Sequence, residues 1–170
     1  MLRFALTLAL LASPLSAQAL ALTGYGVICD IEKGRTRPAP DTVSGVLNVV
    51  NQHHPIDVHT ATVPAEMGLS FGIRADLPDG AEGGTFSIIV THPPMGPQGQ
   101  TVESWTTTLS PGDPALNLFT FELPYELVQG DWRFQIARAD DIVLEQHFTV
   151  LPAGSVPAVQ RACRGSVPMS

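Results

Sequence analysis

From Tyr25 onward, apolar and polar side chains alternate with a period of two, the pattern of strands that bury one face. In the first such segment Tyr25, Val27, Cys29 and Ile31 fall on one side, so an opening strand would carry Cys29 on its apolar face. "GRTRPAPDTVSG" is rich in turn formers and reads as loop. "VLNVV" is short and ambiguous, at most a strand that runs on into the histidine segment "HHPIDVH". The clearest strand is "LSFGIRADL", with Leu69, Phe71, Ile73, Ala75 and Leu77 on one face and Ser70, Gly72, Arg74 and Asp76 on the other. After the turn "PDGAEGG" comes "TFSIIVTH", which aligns Phe86, Ile88 and Val90, and then the loop "PPMGPQGQ". "TVESWTTTL" sets Trp105 and Leu109 on one face among β-branched residues, and "NLFTFEL" groups Phe119, Phe121 and Leu123. The last pair reads as a hairpin. "DWRFQIA" presents Trp132, Phe134 and Ile136 inward, "RADD" turns, and "IVLEQHFTV" presents Ile142, Leu144, Phe148 and Val150.

Helical periodicity is nearly absent, and fifteen prolines and fifteen glycines punctuate the chain. The pattern predicts an all-β protein, a single antiparallel β-sandwich of about seven or eight strands over residues 22–150. The tail after Leu151, residues 151–170, reads as irregular. Ahead of the strands, MLRFALTLALLASPLSAQALA has the parts of a secretory signal peptide over residues 1–21. Arg3 supplies the positive start, and Phe4 to Ala12 form an apolar run too short to span a bilayer of ~30 Å as a helix. Small residues then recur with one-residue gaps, which predicts cleavage after Ala21 or, second, after Ala19. The first cysteine, Cys29, follows "YGVI" and does not fit a lipidation site.

Removing that leader takes one arginine and no acid, leaving eight basic against sixteen acidic side chains in the mature chain. An acidic chain is a poor partner for nucleic acid, whose binding depends on neutralising phosphates. No later apolar run is long enough for a transmembrane helix. The expected location is therefore periplasmic or secreted. There, two isolated cysteines, Cys29 and Cys163, would most simply form one disulfide.

The segment "ELPYELVQGDWRFQIARADDIVLEQHFTV" has a short connection, a Gly-x-Trp opening a strand, and a hairpin ending Phe-x-Val, like the closing strands of immunoglobulin-like modules. Together with "SFGIRADL" and "VTHPPMGPQG" it resembles the bacterial domain of unknown function 3859, over roughly residues 45 to 150. The resemblance implies an immunoglobulin-like sandwich with no established activity, and carries over no catalytic residue.

Candidate chemistry is sparse. His53, His54, Asp57 and His59 crowd into seven positions, and in an extended chain Asp57 and His59 would share a face. A zinc or copper site would need three or four such ligands to converge at ~2 Å from the metal. Pro55 disfavours helix at His54, so the duller reading is a polar approach to a strand. His92 and Met95 could hold copper(I), but no further soft ligand lies nearby. There is no nucleophile elbow and no phosphate-cradling loop, so no cofactor and no enzyme activity is expected. Lys33, Arg35, Arg37, Arg161 and Arg164 flank the two cysteines. A disulfide would gather them into a basic patch facing an anionic surface, unless Asp30, Glu32 and Asp41 offset them. Trp105 and Trp132 are expected in the core, and His147 on the surface. The resulting expectation is a non-catalytic binding module of the cell envelope, with an unknown protein or envelope component as partner. A periplasmic zinc- or copper-binding protein is the alternative. "GRTRPAPDTVSG", "THPPMGPQG" and "SPGDPALN" are the loops predicted to make contact.

Overall fold

Alternation in "SFGIRAD" gives β5 (Ser70–Asp76), the middle strand of a three-stranded sheet in a computed structural model that describes residues 20–164. Its neighbours are β1 (Ala21–Ile28) and β8 (Ala115–Thr120), both antiparallel to it. The facing sheet has five strands in the order β4 (Thr62–Pro64), β10 (Asp141–Leu151), β9 (Gly130–Arg138), β6 (Gly84–Met95) and β7 (Gln100–Leu109). A small hairpin, β2 (Thr36–Pro38) and β3 (Val46–Asn48), stands apart from both. The architecture is the β-sandwich the alternation predicts, with one departure from antiparallel pairing: β4 runs parallel to β10.

The core lies where the inward faces meet. Phe71 is fully buried at its centre, and the rings of Phe119, Phe121, Trp132, Phe134 and Phe148 stand 5.3–5.9 Å from it, mostly edge-on or tilted as aromatic quadrupoles prefer. Ile73, Ile88, Val90, Ile136 and Val150 complete the layer. A second, smaller core occupies the outer face of the three-stranded sheet, where Ile28 of β1 and Leu116 and Leu118 of β8 are covered by Ile31 and Val50. This lid is the long connection between β1 and β4. It crosses back over β1 where Val27 N–H donates to Val58 O (2.9 Å) and Asp57 N–H donates to Val27 O (3.0 Å). The crossing requires glycine beneath it: a Cβ on Gly26 would lie 2.1 Å from the Val58 oxygen.

Several expectations are corrected. "GRTRPAPDTVSG" is not plain loop, because Thr36–Pro38 pairs with Val46–Asn48. "PPM" extends β6, so His92 and Met95 are buried instead of lying in a loop. Ile142 is exposed, because a register shift between Ile142 and Leu144 inserts one residue and turns Ile142 to the outer face. The tail forms a helix, α1 (Pro157–Arg164), with Val156 and Val159 buried in the main core. Cys163 on α1 is bonded to Cys29 just after β1. Arg164 pairs with Glu66 (2.9 Å), whose other oxygen accepts Gly154 N–H. Residues 1–19 of the expected leader, and 165–170, lie outside the described residues.

Phe71→Ala is expected to cost about 3–5 kcal/mol, read as a lower urea midpoint, because five rings lose their common neighbour. Replacing both cysteines by serine should lower the unfolding free energy by up to about 5 kcal/mol, since the bridge closes a loop of 134 residues. A double variant as stable as the parent would show that the tail is held by α1 packing alone.

Candidate functional site

Five strands facing three cannot all be covered. On the β7 side the larger sheet overhangs: Leu109 still reaches the main core and Trp105 reaches Asn117 of β8, but among the described residues no strand pairs with β7 on its outer side. The inward-pointing side chains of β7 are Glu103, Trp105, Thr107 and Leu109, paired across from Val90, Ile88, Phe86 and Gly84. The β2–β3 hairpin reaches over this overhang and is tied to the edge of β7: Arg37 donates to Thr106 O (2.7 Å), and Ser104 N–H donates to Asp41 O (3.1 Å). Between the hairpin, β7 and β8 lies a groove of about 360 Å³.

The edge of β8 forms one wall. Ala115, Asn117 and Phe119 turn their main-chain groups toward β5, so those of Leu116, Leu118 and Thr120 point outward. Leu116 N–H finds the Gln52 Oε1 (2.8 Å), but among the described residues no strand lies beside Leu118 and Thr120.

The floor is polar and deeply buried. Glu103 and Glu126 are each 4 % exposed and Asn117 is 5 % exposed. Glu103 Oε1 accepts Val43 N–H (2.6 Å) and so clamps the hairpin to β7. Glu126 lies in a single 3-10 turn (Pro124–Glu126), and its Oε2 accepts Glu122 N–H (2.6 Å) and Leu123 N–H (2.9 Å). Burial pushes both carboxyls above the ordinary range, and the negative charge of Glu126 adds to the effect on Glu103. Burial, then the charges of Glu126 and Glu103, also raise the Tyr125 hydroxyl. Trp105 donates to Asn117 Oδ1 (3.3 Å), and this leaves the buried Asn117 Nδ2 with no acceptor. An unsatisfied buried donor costs about 1–3 kcal/mol, so the floor is poised to take one more hydrogen bond.

A sequence model for a domain of unknown function, DUF3859, matches residues 16–150. The chain belongs to the DUF3859 family. The fold is similar to that of an immunoglobulin-like protein from Pseudomonas aeruginosa solved by crystallography, with a TM-score of 0.53 and 24 % identity over 80 % of this chain and 99 % of that one. No curated protein matches the sequence.

The residues singled out in this DUF3859 chain mostly go elsewhere. His53 and His59 are exposed on the crossing segment, and His54 Nδ1 meets Pro55 O (2.9 Å). Asp57 is already engaged as acceptor of Cys29 N–H (2.8 Å). Among the described residues no three His, Cys, Asp or Glu side chains form a metal-binding group, so the zinc or copper alternative has no site on His53, His54, Asp57 and His59. His92 stacks on Trp132 with ring centroids 4.9 Å apart and its Nδ1 on Pro93 O; burial keeps its pKa below the usual value. With Met95 it is part of the core.

The basic patch is also corrected. The disulfide joins the two segments, but Lys33 pairs with Glu122, Arg37 is carried away to β7, and Arg164 pairs with Glu66. Arg35 and Arg161 remain exposed but do not make a patch by themselves. Trp132 is core as expected, whereas Trp105 is half-buried in the groove wall.

Glu103, Asn117 and Glu126 were not picked out by motif, yet two of them had a legible signal. Glu103 shares the parity of Trp105 and Leu109, and Asn117 that of Phe119 and Phe121, so each is a polar residue on an apolar face.

The raised carboxyls set a sign for pH dependence. The folded state holds their protons more tightly than the unfolded chain, so their contribution becomes more favourable as pH falls from neutrality toward 4.5 and less favourable as pH rises. Glu103→Gln keeps the acceptor for Val43 and removes the charge. Its stability relative to the parent should be highest near neutrality and shrink on acidification, in urea titrations from about pH 7 to about pH 5. An offset constant across that range would contradict the assignment.

Proposed function

We propose that this DUF3859 protein is an exported, non-catalytic binding module of the cell envelope that takes an extended segment of another protein along the free edge of β8. The unpaired main-chain groups of Leu118 and Thr120, set in a groove, carry this reading. An exposed strand edge is a template for strand addition, in which main-chain hydrogen bonds supply affinity and side-chain pockets supply specificity. Val46 and Val49 are exposed and line the same groove, giving apolar surface for a partner to cover. The buried acids spend oxygens on backbone N–H groups of the hairpin and the 3-10 turn, a use suited to holding shape more than to moving protons.

Export is supported by the Cys29–Cys163 bridge, which persists in oxidising compartments, and by the leader-like start of the chain. Leu20 packs against the core and Ala21 pairs with Asp76, which favours cleavage after Ala19 over cleavage after Ala21. The acidic net charge argues against a nucleic-acid partner.

Leu118→Pro separates edge from core. Proline removes an outward N–H while leaving the β5–β8 ladder bonds, a substitution edge strands accept. Quantitative capture from a periplasmic extract should lose its main partner by about tenfold or more from a protein that stays folded, its unfolding midpoint lowered only by the lost packing of Leu118 on Ile28, Ile31 and Leu116. Undiminished capture by this variant would exclude the β8 edge as the contact.

A further inference from the structure

We infer that the groove selects a segment carrying a lysine or arginine, whose side chain enters between Glu103, Glu126 and Trp105. This rests on the strand-addition reading and names the partner's chemistry. Four carboxylates line the groove, those of Glu103, Asp113, Glu122 and Glu126, against the single guanidinium of Arg37, which is bound to Thr106 O. Of the four, Glu122 is already paired with Lys33 and Asn48. Among the described residues Glu103 and Glu126 have only backbone N–H partners, on one oxygen each, and neither makes an ion pair; the one cation that acts on Glu126 from a distance is Lys33, which is itself bound to Glu122.

A buried carboxylate pair without a counter-charge is costly, and an incoming cation relieves both members at once. Trp105 offers its ring as the wall beside them, a surface that suits guanidinium and ammonium groups. The independent mark of a missing ligand is Asn117. It is 5 % exposed, lines the groove, and its Nδ2 has no acceptor. A main-chain carbonyl on the bound segment can accept from it, which a free metal ion could not do. The registration is consistent. A strand laid beside Leu118 and Thr120 turns alternate side chains to the inner face, the side that already holds Asn117, Trp105 and Glu103. The opposite wall is β3, itself short and extended, so the inserted segment would bridge β8 to the hairpin.

The probes are short fluorescein-labelled peptides of alternating Thr and Val whose central residue is Lys, Arg, Gln or Glu, titrated against the mature protein by fluorescence polarisation. The Lys and Arg peptides should bind about tenfold or more tighter than the Gln peptide, with the Glu peptide weakest. The preference should vanish in Glu103→Gln combined with Glu126→Gln. Both glutamines retain the backbone acceptors, and Glu126→Gln alone serves if the pair lowers the unfolding midpoint. Leu118→Pro should weaken every peptide alike.

Equal affinity for all four peptides overturns the cation pocket and leaves strand addition standing. So does a Lys preference that survives the double variant. Competition by free n-butylguanidine as strong as by the Arg peptide assigns the groove to small cations and overturns the polypeptide occupant. Binding of none of the peptides overturns it as well, and extract capture by Leu118→Pro then decides separately whether the β8 edge is used at all.

Discussion

A sheet of five strands packed on a sheet of three leaves a strip of inward-facing surface without a partner, and most of what is particular to this protein follows from that strip. On one side the problem is solved by packing. β1 and β10 approach closely enough for Tyr25 to meet Phe148 edge-on, and α1 adds Val159, with Val156 just before it, to the same core. On the other side β7 overhangs β8, and the strip is filled with Glu103, Trp105 and Thr107, capped by a hairpin instead of a strand. Water and polar groups can occupy such a gap only if their hydrogen bonds are met, which explains why Glu103 and Glu126 are anchored to backbone N–H groups there.

The connection between β1 and β4 is what converts the overhang into a groove. It leaves β1 at Cys29, covers the outer face of the small sheet, sends its hairpin across to β7, and returns over β1 at Val58. Each stage is pinned by a different force. Ile31 and Val50 supply apolar burial on Leu116 and Ile28, Gly26 makes room for the crossing, and the disulfide holds the start of the segment against α1. The histidine-rich stretch belongs to this segment. Its exposed His53, Asp57 and His59 alternate with half-buried neighbours, and Asp57 caps the Cys29 amide. Its polar character is that of a solvated crossing.

The binding reading and the charge reading concern the same few residues from two directions. An unpaired edge is tolerable in a soluble protein when it is short or shielded. Here β8 is both, since it has six residues and the hairpin stands in front of it, which discourages non-specific pairing. Family membership and fold likeness to an immunoglobulin-like protein describe the frame, whereas the character of the groove comes from its own side chains.

Two-residue periodicity determined, without further help, that the chain is a sandwich and which residues form its centre: Phe71, Ile73, Phe86, Ile88, Val90, Trp132, Phe134, Ile136, Phe148 and Val150 are all buried. The cysteine pair was legible too, because two isolated thiols in a chain that reads as exported have one obvious use. Periodicity failed where a local irregularity or a distant surface intervened. A bulge turned Ile142 outward, and β6 ran on through two prolines to bury His92 and Met95. It could say that Glu103, Trp105 and Asn117 face inward, since that is a property of strand geometry. It could not say that a hairpin and the edge of β8, and no further strand, lie opposite them among the described residues, because strand number and order in each sheet arise from pairings between residues far apart in the chain. The lysines and arginines likewise looked like one patch beside the cysteines until the hairpin carried Arg37 to β7 and separate acids claimed Lys33 and Arg164. Which face a side chain takes is written locally, whereas what covers that face depends on the assembled sheets.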